Sequence, residues 1–261
     1  MDISLQGKHA LVGGASRGIG RAAAEAMAAL GAEVTVVSRS EDVLLKVADS
    51  LDRGSGQSHG LIAADSGNPE ILGRMVAELA RTKPVHILVN NTGGPPDGPA
   101  HTAEPEEFLR AFTNHVICSQ TVVKAVLAGM RKSGYGRIIN VISTSVKQPI
   151  PGLGVSNTIR GAVASWSKTL ANELGPDGIT VNNILPGFTE TGRLEEVMSA
   201  KAIRAGISLE EMAERMRQGV PLRRFGQPAE TASAIAFLAS PAAAYISGIN
   251  LPVDGGRTGS L

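Results

Sequence analysis

A glycine-rich run at residues 13–20, GGASRGIG, has the spacing best suited to binding a ligand in this chain. Gly14, Gly18 and Gly20 follow an apolar run and directly precede an alanine-rich helical pattern. Glycines at a strand-to-helix turn let the backbone approach a pyrophosphate, whose charge is stabilised at the helix N-terminus. A purely structural turn can use the same residues, but the flanking strand and helix favour dinucleotide binding. The candidate contact residues in this loop are Gly14, Ser16, Arg17, Gly18, Ile19 and Gly20.

Arginines near this loop indicate which dinucleotide it would take. The second β-branched run ends VVSRS, so Ser38 and Arg39 follow it, and Arg17 lies in the glycine loop. An acidic residue in this place grips the ribose 2′-hydroxyl of NAD, whereas arginine suits the 2′-phosphate of NADP. No carboxylate follows until Glu41. The sequence therefore favours NADP(H) over NAD(H), with solvated surface arginines as the alternative interpretation.

A third group of polar residues lies between positions 143 and 160. Ser143 ends the run INVIS, and Ser156 and Arg160 follow it in the segment leading into a long helical pattern. A serine hydroxyl can hydrogen-bond a reacting oxygen, but it is far less acidic than a phenol, whose pKa is about 10. Arginine can donate hydrogen bonds to sugar hydroxyls, but it stays protonated and cannot relay a proton. The segment therefore offers hydroxyls that could hold a reacting oxygen, but no evident acid that could protonate it.

Short apolar runs alternate with helical patterns along the whole chain. Strands are predicted at 9–12, 33–38, 60–64, 85–90, 137–143, 179–185 and 249–253, and helices at 21–31, 43–51, 69–80, 105–130, 156–175, 209–218 and 228–240. Left-handed glycines are expected to end three of the helices, at Gly31, Gly134 and Gly175. This alternation predicts a single-domain α/β fold over residues 1–261, a Rossmann-type doubly wound parallel sheet of about seven strands flanked by helices.

Composition excludes several classes of protein. The chain has 261 residues, 43% of them hydrophobic, which suffices for one substantial core. A net charge of +1 offers no electrostatic surface for nucleic acid or an acidic membrane. The single cysteine, Cys118, excludes an internal disulfide and fits a reducing compartment. No membrane span, secretory leader or metal site is predicted, and we expect a soluble cytoplasmic protein.

The chain resembles the short-chain dehydrogenase/reductase family, and within it the members like 3-oxoacyl-acyl-carrier-protein reductase, over essentially its full length. The motifs that carry the resemblance are GGASRGIG at 13–20, Asp65 after the third strand, NNTGG at 90–94, Asn114 in FTNHV, Ser143 in INVIS, LPGFTET at 185–191, RFGQPAE at 224–230 and YISGINLPVDGG at 245–256. The resemblance implies the residues that contact the cofactor. Asp65 and Ser66 would contact the adenine, Asn90, Thr92 and Gly93 would line the adenosine ribose, and Pro186, Gly187 and Thr191 would hold the nicotinamide carboxamide and its phosphate.

The same resemblance implies an Asn-Ser-Tyr-Lys catalytic group, in which tyrosine protonates the substrate oxygen and lysine holds the nicotinamide ribose. Asn114 and Ser143 match this group, but Ser156 and Arg160 stand where the tyrosine and lysine are expected, without any gap. The chain is therefore an atypical member, with Asn114, Ser143, Ser156 and Arg160 as catalytic candidates and Arg160 also as a cofactor ligand. Lys147 and His115 are candidate replacement acids, although a solvated lysine and a satisfied helix histidine are the favoured interpretations of these two residues.

Three hypotheses of function follow. The first is an NADP-dependent oxidoreductase acting on a carbonyl or alcohol of a small molecule, an acyl thioester being one candidate, with a non-standard proton donor. The second is a catalytically silent dinucleotide-binding sensor or partner subunit, and the third is non-redox chemistry in the same pocket. The resemblance also implies a substrate lid at 188–224 and a homodimer or homotetramer.

Overall fold

Seven parallel strands form a single sheet in the computed structural model, which describes residues 1–260. The strands are β1 (His9–Gly13), β2 (Glu33–Ser38), β3 (Gly60–Ala63), β4 (Ile87–Asn90), β5 (Gly136–Val141), β6 (Ile179–Pro186) and β7 (Asn250–Val253). Their order is β3-β2-β1-β4-β5-β6-β7, and every neighbouring pair is parallel. The predicted fold class and the seven strand positions are confirmed.

Helices cover both faces of this sheet. They are α1 (Gly18–Ala29), α2 (Glu41–Ser50), α3 (Pro69–Thr82), α4 (Pro105–Phe112), α5 (Cys118–Ser133), α6 (Gly154–Leu174), α7 (Gly192–Ala205), α8 (Leu209–Gln218) and α9 (Pro228–Ala239). The apolar sides of α1, α2 and α9 pack on one face of the sheet, and those of α3, α5 and α6 pack on the other. Within residues 1–260, no helix combines the length and apolar character needed to cross a membrane.

The strands are apolar along most of their length, which explains why helices cover both faces of the sheet. β5 is buried along its whole length, and β6 is buried from Ile179 to Leu185. Strands buried on both faces are typical of parallel sheets, since the helices of the crossover connections lie on each side. The polar positions within these strands are therefore informative, because each buried polar group needs a partner.

A row of four asparagines, one from each of β4 to β7, crosses the sheet. The amide Nδ2 of Asn90 donates to Asn140 Oδ1 at 2.8 Å, and Asn140 Nδ2 donates to Asn183 Oδ1 at 3.1 Å. Asn183 Nδ2 then donates to Asn250 Oδ1 at 2.8 Å. These residues are also direct partners in strand register. We call this row the asparagine ladder.

Three local features differ from the sequence-based expectations. The prediction that Gly175 adopts a left-handed conformation is wrong: its φ is −53°, and the chain continues into a short turn that ends at left-handed Gly178. The helix predicted over 105–130 is interrupted by a π-helical turn at Thr113–Ile117. Helix α7 was not predicted, because its apolar residues bury against α8 rather than against the sheet.

The asparagine ladder predicts a large stability cost for Asn140→Ala. Asn140 is 1% exposed and also donates to Ser167 Oγ at 2.8 Å, so alanine removes three hydrogen bonds, two of them to buried Ser167 and Asn183 and one to part-buried Asn90. We expect the free energy of unfolding, measured by urea denaturation, to fall by about 2–4 kcal/mol. Exposed Asn172 on α6 is the control, and Asn172→Ala should change stability little. Equal effects of the two substitutions would contradict this role for the ladder.

Candidate functional site

The candidate residues gather where the strand order reverses. Successive strands build outward from β1 in one direction through β2 and β3, and in the other through β4 to β7. In open α/β sheets, ligands bind in the crevice outside the carboxyl ends of the strands at this switch point. The glycine loop follows β1 and the NNTGG segment follows β4, so both border this crevice.

The glycine loop is shaped for an anion at the start of α1. Gly14 has φ +59°, and a Cβ placed there would lie 2.6 Å from Asn91 Nδ2. A Cβ on Gly20 would clash with the Gly14 carbonyl oxygen. No side chain caps the N-terminus of α1, which begins after extended Arg17. The first amides of α1 are therefore left to an external acceptor, as a pyrophosphate would provide.

Asn91 holds the glycine loop, and residue-by-residue reasoning on NNTGG missed it. Its Nδ2 donates to the Gly13 carbonyl at 3.2 Å, while its backbone oxygen lies against Gly14. The preceding Asn90, expected to line the adenosine ribose, directs its side chain into the asparagine ladder instead. The signal available in the sequence was the pair of adjacent asparagines at the end of a strand, where alternate side chains point in opposite directions.

The end of β2 offers a polar atom without a partner. Ser38 Oγ is buried and makes no hydrogen bond within the described residues, and the neighbouring Arg39 is exposed. The backbone of Val37 accepts from Ala15 N at 3.1 Å, so this strand end lies against the glycine loop. A ribose hydroxyl or its phosphate fits this orphaned hydroxyl. Arg17 extends in another direction, with Nη2 3.9 Å from Glu196 Oε1 of α7.

The turn after β3 brings together two predicted residues. Asp65 Oδ1 accepts from Gly67 N at 2.8 Å, and a Cβ on Gly67 would lie 3.4 Å from Asn114 Oδ1. Ser66 between them is partly buried. The side chain of Asn114 thus points toward the turn between β3 and α3, while its backbone belongs to the π-helical turn.

The segment after β6 closes the other side of the crevice. Gly187 donates its N–H to the Val253 carbonyl at 2.9 Å and has no room for a side chain, since a Cβ would lie 2.6 Å from Asp254 Cα. Thr191 caps α7, and its methyl group would be 3.1 Å from a Cβ on Gly18. The glycine loop and the segment from Pro186 to Thr191 therefore face each other across the crevice.

Ser143 lies at the end of β5 with a hydroxyl able to donate. Its Oγ accepts a hydrogen bond from Ser145 N at 3.1 Å and caps a short turn over Thr144–Val146. A hydroxyl has one donor and two acceptor sites. Its O–H therefore stays available for an oxygen in the crevice. Ser156 is partly buried in the first turn of α6, and Lys147 is exposed just beyond the short turn.

Arg160 is a buried cation that has no carboxylate partner among residues 1–260. Its side chain points into the base of the crevice, where Nη1 donates to the Val141 carbonyl at 3.0 Å and Nε has no partner among residues 1–260. Burial, with a smaller contribution from Arg193, lowers the pKa of Arg160 to about 10, so it remains charged near neutrality. Burying a charge without a counter-ion costs several kcal/mol, and a bound ligand with oxygen acceptors would offset that cost.

His115 lies close to Arg160 and cannot serve as the missing acid. Its Nδ1 is 2.6 Å from Thr92 Oγ1, and the residue is 4% exposed. Burial, followed by repulsion from Arg160, lowers the pKa of His115 to about 2. The imidazole is therefore neutral at physiological pH, and Thr92, predicted to contact the cofactor, is already hydrogen-bonded to it.

Helix α7 is tied across the crevice by ion pairs that the sequence did not reveal. Arg193 Nη2 lies 2.7 Å from Asp97 Oδ1 and donates to the Pro95 carbonyl at 3.1 Å. Residues 188–224 form α7 and α8, which share a small apolar cluster with Phe225. This segment thus lies over the end of the crevice that contains Arg160.

The fold and the crevice together define a dinucleotide-binding α/β protein. Comparison with known proteins agrees with this class. A family model described as enoyl-(acyl carrier protein) reductase matches residues 14–258. The 3-oxoacyl-[acyl-carrier-protein] reductase of Vibrio cholerae is 37% identical over 97% of this chain and 98% of its own length. That of Escherichia coli is 36% identical, with the same coverage of both chains. The structure of L-sorbose reductase from Gluconobacter frateurii, complexed with NADPH and L-sorbose, superposes with a TM-score of 0.93 at 31% identity over 100% of both chains.

This chain belongs to the short-chain dehydrogenase/reductase family.

The neutral state of His115 predicts a measurable pH dependence of stability. Its folded-state pKa lies below the unfolded value of about 6.5, so the unfolded state binds more protons as pH falls. The contribution of neutral His115 to the free energy of unfolding is fully present above about pH 6.5. On acidification the free energy of unfolding falls by up to about 1.4 kcal/mol per pH unit.

Urea denaturation between pH 7 and 4 tests this prediction. His115→Gln should flatten the decline relative to wild type, since glutamine does not ionise. Exposed His101 provides the control, and His101→Gln should keep the wild-type slope. Parallel curves for wild type and His115→Gln would show that His115 titrates normally.

Proposed function

We propose that this protein is an NADP(H)-dependent oxidoreductase that interconverts a carbonyl group and an alcohol on a small molecule. The observation that carries the proposal is Arg160, a buried, unpaired cation at the end of a crevice whose other end has a glycine loop. The orphaned hydroxyl of Ser38 and the exposed Arg39 support NADP(H) over NAD(H). The NADPH bound to L-sorbose reductase is consistent with this preference.

The remaining predicted cofactor contacts keep their assigned roles in this proposal. Ser16 and Ile19 of the glycine loop, with Gly14, Gly18 and Gly20, would surround the pyrophosphate, and Asp65, Ser66, Asn90, Thr92, Gly93, Pro186, Gly187 and Thr191 would line the rest of the dinucleotide. A reduced nicotinamide supplies a hydride when bound. Arg160 would hold the nicotinamide ribose through its guanidinium donors, in place of the family's lysine.

Ser143 would orient and polarise the substrate oxygen. The Ser145 N–H donates to Ser143 Oγ and fixes its position. The O–H of Ser143 would then donate to the carbonyl oxygen of the substrate. Such preorganised donors act where negative charge develops in the transition state. Ser156 lies where a phenol would otherwise stand and leaves the volume of that ring open.

Water in this volume would supply the proton. His115 is unsuitable because its imidazole is neutral at physiological pH. Arg160 is unsuitable because its guanidinium stays protonated. A water hydrogen-bonded by Ser143 and Ser156 would connect the substrate oxygen to solvent. Asn114 would contribute through its backbone in the π-helical turn, since its side chain points elsewhere.

The absence of a phenol at Ser156 favours, as a second candidate, dinucleotide binding without turnover, as in a sensor or partner subunit. Non-redox chemistry in the same pocket is a third. The substrate class also includes an acyl thioester, in view of the two acyl-carrier-protein reductases similar to this chain. We place the substrate lid at 188–224, and the cytoplasmic location stays a prediction.

Assembly into a homodimer or homotetramer is part of the proposal. Leu109, Phe112 and Ile117 are exposed along α4 and the π-helical turn, and we expect the helices at 105–130 and 156–175 to form the interface. Exposed apolar residues that continue along one element suit a twofold contact. The mass in solution, measured by light scattering, tests this assembly.

A ketone panel with wild type and Ser143→Ala tests the proposed chemistry. Wild type should oxidise NADPH with at least one ketone, and use NADH less well. Ser143→Ala should lower kcat/KM by about 100-fold or more, because an aligned donor is lost. The matched control is Ser145→Ala, which removes a buried hydroxyl that has no partner and keeps the backbone N–H.

The outcomes separate the hypotheses. Full activity in Ser143→Ala would remove Ser143 from the mechanism. Tight cofactor binding with no turnover of any ketone would favour the silent binding protein. Conversion of a substrate without net consumption of NADPH would favour non-redox chemistry.

A further inference from the structure

A cavity of about 360 Å³ opens beside the reaction site. Its walls are the loop from Thr144 to Pro151, Phe188 after β6, α8, and the C-terminal residues Arg257 and Thr258. We call it the outer pocket. Thr144 directly follows Ser143, so a substrate whose carbonyl lies at Ser143 would extend into this cavity. The volume suits a small molecule.

The outer pocket contains an arginine, Arg257, for which the described part of the chain offers no ion-pair partner. The guanidinium carbon of Arg257 lies 4.2 Å from the centre of the Phe188 ring, and no carboxylate is within 4 Å of the guanidinium nitrogens among residues 1–260. Phe188 is itself held by an edge-to-face contact with Phe225, at 6.1 Å between ring centres. Stacking on a fixed aromatic ring orients a guanidinium and leaves its N–H edge free for a ligand.

Asp254 is near Arg257 but does not neutralise it. Its two carboxylate oxygens accept from Gly256 N at 3.0 Å and Thr258 N at 2.8 Å, which fixes the C-terminal turn. Burial is the main influence on Arg257 and lowers its pKa, while Asp254 acts in the opposite sense. The Asp254 oxygens are thus committed to the backbone, and the guanidinium stays available.

The other charge on the wall of the pocket is also positive. Arg215 of α8 is exposed and lies 3.5 Å from Glu211, one turn away on the same helix. Exposed pairs of this kind are weak. No aspartate or glutamate lines the cavity within the described part of the chain, so both charged side chains on its wall are arginines.

We propose that the outer pocket binds the carboxylate of the substrate, with Arg257 as the specificity-determining residue. This inference rests on the proposed function and narrows it to small oxo acids and the corresponding hydroxy acids. One half-buried guanidinium matches a single negative charge, which it can bind with two parallel hydrogen bonds. Thr144 and Thr258 offer hydroxyls to the same ligand.

The test compares oxo acids with their uncharged amides. The substrates are 4-oxopentanoate, 5-oxohexanoate and 6-oxoheptanoate, each with its primary amide, and kcat/KM is measured with NADPH. For at least one chain length, wild type should prefer the acid at least about tenfold, the usual worth of one charged hydrogen-bonded contact. Arg257→Gln should abolish most of that preference, and Arg257→Lys should retain part of it. Arg74→Gln, an exposed arginine on α3, is the control and should keep it.

A binding measurement separates failure of this inference from failure of the proposed function. Each acid and amide is titrated calorimetrically into the protein, with and without NADPH. Acid binding that depends on Arg257 without any turnover would support the pocket and overturn the oxidoreductase. Turnover of acid and amide at equal rates, or an acid preference that persists in Arg257→Gln, would overturn the carboxylate site and leave the oxidoreductase standing. Absence of both binding and turnover would overturn both.

Discussion

The asparagine ladder is the constraint on which the rest of the crevice depends. Four strands carry an asparagine at matching register positions, and each amide hydrogen-bonds to the next. A shift of one residue in any strand would reverse the faces of its side chains and leave buried amides unpaired. The ladder therefore fixes the register of β4, β5, β6 and β7, and with it the positions of their carboxyl ends relative to one another. Asn91, Ser143, Pro186 and Asp254 lie at or just after those ends, so their relative positions in the site depend on the asparagine ladder.

Ser156 and Arg160 stand where the resemblance to the family predicts a tyrosine and a lysine, and such an exchange would change hydrogen-bonding geometry and volume together. Arg160 donates to the carbonyl of Val141, the last residue of β5, two residues before Ser143. A guanidinium has more donors than an ammonium and cannot lose its proton, so it suits a role in binding rather than in proton transfer. Serine is shorter than tyrosine, and in the proposed function water would take the place of the ring. In the proposed function the two residues complement each other, since Arg160 would keep a cation at the ribose and Ser156 would admit a different proton source.

Local sequence signals were sufficient for the sheet, the glycine loop and most helices. Glycines whose φ is positive or whose Cβ has no room, such as Gly14 and Gly20, are required by the backbone alone, so their spacing predicts the turn. Gly175 shows the limit of that reasoning, because the chain tightened into a short turn and placed the left-handed residue at Gly178 instead. The break at 113–117 leaves no clear mark in the helical pattern.

Long-range contacts could not be predicted in the same way. The asparagine ladder depends on strand register, and the contact between Arg193 and Asp97 joins residues 96 positions apart. The unpaired state of Arg160 and the neutral state of His115 depend on burial, which only the folded chain defines. Arg257 was not a candidate from the sequence, because its partner ring, Phe188, comes from a distant strand end.

The most direct test of the central claim is transfer of deuterium from NADPH labelled at the reactive position of the nicotinamide. Mass spectrometry of the alcohol formed from a turned-over ketone would measure it. We predict one deuterium on the carbinol carbon of each product molecule, with solvent supplying the hydroxyl proton. A product formed without deuterium would contradict hydride transfer in this crevice.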